Sequence, residues 1–149
     1  MYKVDRSMQV VKRNGNLEDV SFDKILARIS SVSTGIEFDR QLNIDATKVA
    51  QKVIQEIFDG VQTSELDILT SEIAIAMYSV NPEYATLASR IVVSNHHKNT
   101  YDTFSEKVEK LYTFDKPLLN KEFYDIVQEN KELIDNKIDY SKDYFFDFF

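Results

Sequence analysis

The chain has 149 residues, of which 43% are hydrophobic, so it is long enough for one domain or for a small domain with an appendage. Its net charge of -7 argues against general affinity for nucleic acid, and its lack of cysteine excludes disulfides, thiolate metal sites and thiol chemistry. No stretch has the pattern of a membrane span or a signal peptide, so we expect a cytoplasmic protein, in the host cytoplasm if the source is viral, with no membrane partner.

Residues 8–22 are predicted to form a β-hairpin. The tripeptide Asn14-Gly15-Asn16 separates two stretches of β-forming residues, and Asn-Gly in that setting is a strong hairpin signal. Both residue types tolerate the positive φ that a tight turn demands. The sequence therefore predicts a small β-element near the N-terminus.

Four helices are predicted after the hairpin, because apolar residues recur there at helical spacing. The residues expected to cap their N-termini are Ser21, Asp45, Thr63 and Asn81. Gly60 is expected to end the second helix, and Pro82 to open the fourth. No Gly or Pro follows before Pro117, so the fourth helix is expected to continue past Lys98, with a kink.

The C-terminal third is predicted to contain another helix, from Asn120 to about Asn136, and then an aromatic tail over residues 139–149. Four of the last five residues are Phe, which favours burial against other protein. A boundary is expected near residues 99–104. The chain is thus expected to be either a fragment or a piece that docks on more protein.

One short stretch combines the groups that bind phosphate. Lys12 and Arg13 precede the turn on the first strand, and residues 18–24 return from it into the first helix. Lysine supplies a mobile charge, arginine a planar fork, and a helix N-terminus a partial positive charge. Carboxylates in the returning segment could accept from a base or ribose, or hold Mg²⁺. The alternative interpretation is a solvated hairpin tip, which spacing alone leaves open.

Two further groups of residues have structural interpretations besides the functional ones. Residues 63–67 are typical of a helix N-terminus, and could also present a hydroxyl and a carboxylate to a nucleotide. His96 and His97 would point about 100° apart on a helix and chelate one metal poorly, so no metal site is predicted. The aromatic residues are assigned to the core, except that Phe22 lies within the candidate pocket.

Three segments in order resemble one family. Residues 10–25 contain V-V-K-R-N-G, a glutamate and V-S-F-D-K-I, and resemble the opening signature of ATP-cone domains. Residues 60–67, G-V-Q-T-S-E-L-D, are similar to a later segment of that family. Residues 82–98, with P-E-Y-A-T-L-A-S-R-I and S-N-H-H-K, look like class I ribonucleotide reductase large subunits of the eukaryotic and viral type. The resemblance covers residues 8–98 and continues more loosely to residue 149.

The resemblance implies an α+β, mainly helical fold: a helical bundle capped by an N-terminal β-hairpin, followed by additional helix and the aromatic tail. Residues 8–99 would be the ATP-cone regulatory domain, and residues 104–149 the incomplete start of the reductase N-terminal helical region. The cone would bind ATP or dATP, with Mg²⁺, as an allosteric effector between the hairpin and the helices. ATP would keep the reductase active, and dATP would promote an inhibited oligomer.

The matched positions imply roles for individual residues. Lys12, Arg13 and Lys98 would contact phosphate, and Glu18 would lie at the adenine or ribose. Asp67 would lie near the discrimination between the two nucleotides. The full set of implied nucleotide-binding residues is Lys12, Arg13, Glu18, Asp19, Val20, Ser21, Phe22, Asp23, Lys24, Thr63, Asp67 and Lys98.

The implied partners are the remainder of the large subunit, further copies through the cone, and indirectly the radical-generating small subunit. Reductase chemistry needs cysteines and a barrel, so the chain is expected to be inactive alone, as a truncated product or as part of a split subunit. An ATP-cone transcriptional repressor would need two C-x-x-C pairs, and the chain has no cysteine. A stand-alone helical interaction module stays open as the alternative.

Overall fold

The computed structural model describes residues 8–35, 38, 40–146 and 148. Within them the chain is mainly helical with a small sheet, so the predicted α+β class is confirmed. The elements in chain order are β1 (Gln9–Val11), β2 (Leu17–Asp19), α1 (Phe22–Thr34), α2 (Ala46–Glu56), β3 (Val61–Gln62), α3 (Thr63–Ala76), α4 (Glu83–Lys98), α5 (Phe104–Tyr112), α6 (Lys121–Glu129), α7 (Lys131–Asp135) and a 3-10 helix (Tyr140–Phe145). Of the helices in the described part, none is long and apolar enough to cross a membrane.

The predicted hairpin is present and is closed by a turn that needs glycine. Gly15 donates its N–H to the Lys12 carbonyl at 2.8 Å, and Lys12 donates to the Asn16 carbonyl at 2.8 Å. Gly15 has a φ of 83°, the left-handed conformation that costs an L side chain about 1–2 kcal/mol. No other described residue of the turn uses a positive φ. The Asn-Gly signal therefore depends on its glycine.

The sheet has a third strand that the sequence did not predict. The strand order is β2-β1-β3, with β1 antiparallel to β2 and parallel to β3. Gly60, with a φ of 81°, turns the chain into β3 and donates to the Gln9 carbonyl at 2.7 Å. The prediction that Gly60 ends α2 is wrong, because α2 already ends at Glu56. A strand of two residues is too short to show alternation.

The predicted starts after Ser21 and Asp45 are confirmed, whereas α4 begins at Glu83, one residue after the predicted Pro82. Asp45 accepts from the Lys48 N–H at 3.1 Å, and Asn81 accepts from the Glu83 N–H at 2.9 Å. Ser21 occupies the N-cap position of α1, but its side chain makes no capping hydrogen bond. Thr63 is the first residue of α3 rather than its cap. The cap is Gln62, which forms a capping box with Glu65.

The chain divides into two compact units. One contains the chain up to Asn95 together with the segment from Asp143 onward, and the other runs from His96 to Lys142. In the first unit α1 packs on α2, and α2 on α3. The largest fully buried side chains of this core are Ile29, Leu87, Ile91, Val49, Val53 and Val61. The predicted apolar stripe of α4 is buried in this unit.

The second unit corrects two helix predictions. The fourth helix ends at Lys98 instead of continuing, because Thr103 caps a new helix by accepting from the Glu106 N–H at 3.2 Å. The predicted helix over residues 120–136 is present as α6 and α7. They are separated at Asn130, whose side chain donates to the Ile126 carbonyl at 2.8 Å.

The aromatic tail is only partly covered. Phe148 packs against the core of the first unit, and Tyr144 meets Phe38 edge to face with ring centroids 4.9 Å apart. Phe145 and Phe146 remain 77% and 51% exposed. Phe148 is therefore half-buried within the chain, whereas the burial of Phe145 and Phe146 against other protein stays a prediction. Phe149 lies outside the described residues.

Candidate functional site

The hairpin turn is tied to α3 and α4. Lys12 and Arg13 lie in the turn, so their predicted place on the strand is wrong: β1 ends at Val11, where the turn's hydrogen bonds begin. The Arg13 guanidinium contacts a carboxylate oxygen of Asp67 on α3 at 3.4 Å and donates to the side-chain carbonyl of Asn95 on α4. One side chain from the turn thus joins elements 54 and 82 residues further along the chain.

Asp67 is the centre of this contact. It is only 6% exposed, although it carries a carboxylate. Arg28 on α1 grips it with two hydrogen bonds, from Nε at 3.1 Å and from Nη2 at 3.2 Å, and also donates to the Ser94 hydroxyl at 3.0 Å. Two guanidinium groups therefore share one buried carboxylate. Such pairing offsets the cost of removing the charge from water.

Sequence reasoning missed Arg28. The residue lies one helical turn after Lys24, on the same side of α1, which is the signal that could have found it. It is outside the matched segment that ends at Ile25, so the resemblance did not include it.

A second cationic group forms around Glu18 on β2. Lys12 contacts it at 2.9 Å from the turn, and Lys24 contacts it from the first turn of α1. Hydrogen bonds from Lys24, and then from Lys12, hold the pKa of Glu18 below its ordinary value. Two lysines from different elements are therefore within reach of the same small volume.

Together these two groups, which we call the cationic network, are positively charged. Four cations, two from each group, face the carboxylates of Glu18 and Asp67, which leaves two net positive charges in a chain of net charge -7. An excess of cations at a turn and a helix N-terminus is suited to an anion with several negative charges.

Comparison with known proteins decides the family. The model of the ATP cone domain matches residues 8–99. The chain belongs to the ATP-cone family. The candidate site lies within the matched region, and so do all of the residues implied above.

The chain is also similar to one part of several longer curated proteins. The chain is 44% identical, over 97% of its length, to a ribonucleoside-diphosphate reductase large subunit of Dictyostelium discoideum. It is 42% identical over 95% of its length to large chain 2 of Saccharomyces cerevisiae, and 41% identical over 95% to the large subunit of Variola virus. It spans only 18%, 17% and 19% of these three relatives.

Four other residues implied by the resemblance lie between β2 and the first turn of α1. Asp19 is exposed on β2 and accepts from the Gln9 side chain at 3.1 Å. Because successive residues of a strand face opposite sides, Asp19 faces away from Glu18. Val20 and Phe22 are half-buried against the core. Asp23 is exposed in the first turn of α1.

Thr63 and Lys98 are less directly placed. Thr63 is half-buried at the start of α3, four residues before Asp67. Lys98 is the last residue of α4 and belongs to the second unit. The nucleotide contacts of both residues stay predictions.

The described residues contain no group of three or more His, Asp or Glu side chains arranged to hold a metal ion. His97 instead lies against the ring of Tyr140, at 6.0 Å between centroids. His96 is exposed on α4.

Proposed function

We propose that this ATP cone binds ATP or dATP as an allosteric effector and serves as the regulatory region of a ribonucleoside-diphosphate reductase large subunit, in deoxyribonucleotide synthesis. The chain carries no reductase activity alone. The names of the relatives and the family of the cone support this assignment.

The observation that carries the proposal is that the hairpin turn and α1 each contribute one cation to two pairs, and that each pair contacts a single carboxylate. Lys12 and Lys24 both reach Glu18, and Arg13 and Arg28 both reach Asp67. A triphosphate offers each of the more exposed cations an oxygen acceptor, and charge-assisted bonds of this kind are about twice as strong as neutral ones.

The start of α1 adds a second attraction for phosphate. Ser21 is extended at the N-cap and its side chain does not accept from the first-turn N–H groups. Those groups carry the positive end of the helix dipole. A phosphate oxygen can take the place that a capping hydroxyl often has.

Mg²⁺ would accompany the nucleotide. It binds phosphate oxygens readily and keeps several of its waters, so it needs few protein ligands. The protein carboxylates that would face the complex are Glu18, which Lys12 and Lys24 contact, and Asp23, which is exposed in the first turn of α1.

Discrimination between ATP and dATP depends on one hydroxyl. Such a ligand difference shifts an equilibrium between two assemblies only through its differential interaction with them, and about 1–3 kcal/mol suffices. Asp67 is the residue we assign to this discrimination. The assemblies would involve further copies of the cone, the remainder of the large subunit and, indirectly, the small subunit.

Calorimetric titration of the purified chain with Mg-ATP and Mg-dATP tests the proposal. We expect both to bind, and the double substitution K12A/K24A to weaken binding at least tenfold. Lys52, exposed on α2, provides the matched control, because K52A removes a lysine outside the network. If the wild-type chain is folded, as judged by circular dichroism, and binds neither nucleotide at millimolar concentration, the result would favour the interaction module.

A further inference from the structure

We infer that Arg28 is a positioning residue of the effector site: it keeps Asp67 paired, so that Arg13 can leave Asp67 and bind phosphate. This inference rests on the proposed function, since the phosphate is that of the effector. Arg28 lies outside the motif of residues 10–25 that carried the resemblance, and its role follows from how the two arginines differ.

The two arginines hold the same carboxylate unequally. Arg28 makes two contacts to Asp67, at 3.1 and 3.2 Å, in the forked geometry that suits a carboxylate. Arg13 makes one contact at 3.4 Å, at the long end of the hydrogen-bond range. Arg28 is therefore the principal counterion, and Arg13 the weaker one.

Their positions in the fold also indicate that Arg13 is the arginine more able to move. Arg28 lies within α1, and each arginine has one further acceptor on α4, the Ser94 hydroxyl for Arg28 and the Asn95 side-chain carbonyl for Arg13. Arg13 lies in the turn beside Gly15, and its side chain is 30% exposed against 24% for Arg28. The arginine that can move toward a ligand is thus the one on the turn.

Arg13 can leave only if Asp67 keeps a partner. The Asp67 side chain is only 9% exposed, and a buried charge without a counterion is strongly unfavourable. With Arg28 in place, the departure of Arg13 leaves Asp67 with both bonds of the fork. Without Arg28, Arg13 would be held as the sole counterion, and the effector would have to compete with Asp67 for it.

The contact between α3 and α4 would survive the exchange. Asn95 accepts from Arg13 through its side-chain oxygen, but its side-chain N–H donates to the Ser64 carbonyl at 3.1 Å. That second bond does not involve Arg13. The exchange is therefore local to the turn, to Asp67 and to the side-chain oxygen of Asn95, which loses its bond from Arg13.

Titration of Arg28 variants with Mg-ATP tests the inference. We expect R28M to weaken ATP binding at least tenfold and R28K to recover part of the loss, because lysine restores charge without the fork. Arg40, which pairs with Glu83 away from the site, provides the matched control, and R40M should change affinity less than twofold. In a D67N background R28M should cost less than threefold, because the carboxylate that needs Arg28 is gone.

Side-chain NMR of the wild-type chain gives a second readout that requires no variant to fold. On addition of Mg-ATP, the Arg13 guanidinium signals should shift. The Arg28 Nε–H signal should keep its chemical shift, and its proton should continue to exchange slowly with water. Movement of Arg28 with a stationary Arg13 would overturn the inference. So would a folded R28M that binds ATP within twofold of wild type, or an equal R28M loss in the D67N background.

The failure of the two proposals can be told apart. A wild-type chain that binds neither nucleotide overturns the effector site, and the role of Arg28 with it. A wild-type chain that binds normally, with Arg28 variants that bind equally well, overturns only the role of Arg28.

Discussion

Replacing Asp67 by alanine should destabilise the first unit more than any other single removal of a carboxylate from α3. The substitution deletes the acceptor for three hydrogen bonds, two from Arg28 and one from Arg13. Breaking a buried ion pair costs about 3–5 kcal/mol. Both arginines are partly exposed and each keeps another acceptor, Ser94 or Asn95, so about 1.5–3 kcal/mol is the appropriate expectation.

The isosteric substitution Asp67→Asn should fall between alanine and wild type. It retains a carbonyl oxygen for Arg28 but loses the charge and one acceptor. Glu72, exposed on the same helix, is the control, and E72Q should change the free energy of unfolding by less than about 0.5 kcal/mol.

The measurement should follow the first unit alone, because the chain has two compact units that need not unfold together. Urea titration read from the NMR amide signals of α3 gives that free energy directly. If D67A lies within error of E72Q, the arginine pair does not stabilise the fold, and our account of the network is wrong.

Two further predictions concern the turn and the pH dependence of stability. Gly15→Ala should cost about 1–2 kcal/mol through backbone strain alone, because a Cβ at this position meets nothing within 4 Å; Gly15→Asn should cost less, and equal stability of both variants and wild type in urea titration would contradict the strain argument. The pKa of Glu83 is lowered by its hydrogen bonds from Arg40 and from the Asn43 N–H, so its pairing should stabilise the fold above the ordinary pKa of 4.5 and be lost as pH falls through the lowered value. The stability difference between wild type and E83Q should accordingly shrink on acidification, R40M should reduce the same pH dependence, and a constant difference from pH 7 to pH 3 would count against the pairing.

The sequence predicts the parts of the fold that have strong local signals. Asn14-Gly15 marks the hairpin because its glycine is needed at positive φ. Leu87 and Ile91 mark the buried face of α4 because helical spacing places them on one side. These features depend on residues close together in the chain.

Features that depend on distant residues were missed or misplaced. The two residues of β3 become a strand only because they pair with β1, about fifty positions earlier. Arg28 gains its role from Asp67, 39 residues away, and from Ser94, 66 residues away. The end of α4 was misplaced because Thr103 caps a new helix without any glycine or proline as a warning.

Under the proposed function, Arg13 would also connect the occupancy of the site with the docking of the hairpin. Strands of three residues give the hairpin little stability of their own. Its base is fixed independently of Arg13, because the Gln9 N–H donates to the Asp59 carboxylate at 2.7 Å and the Gln9 carbonyl accepts from the Gly60 N–H at 2.7 Å. An effector that took Arg13 from Asp67, as we propose, would therefore alter how the tip is held while the base stays paired, and would change the hairpin without disrupting the sheet.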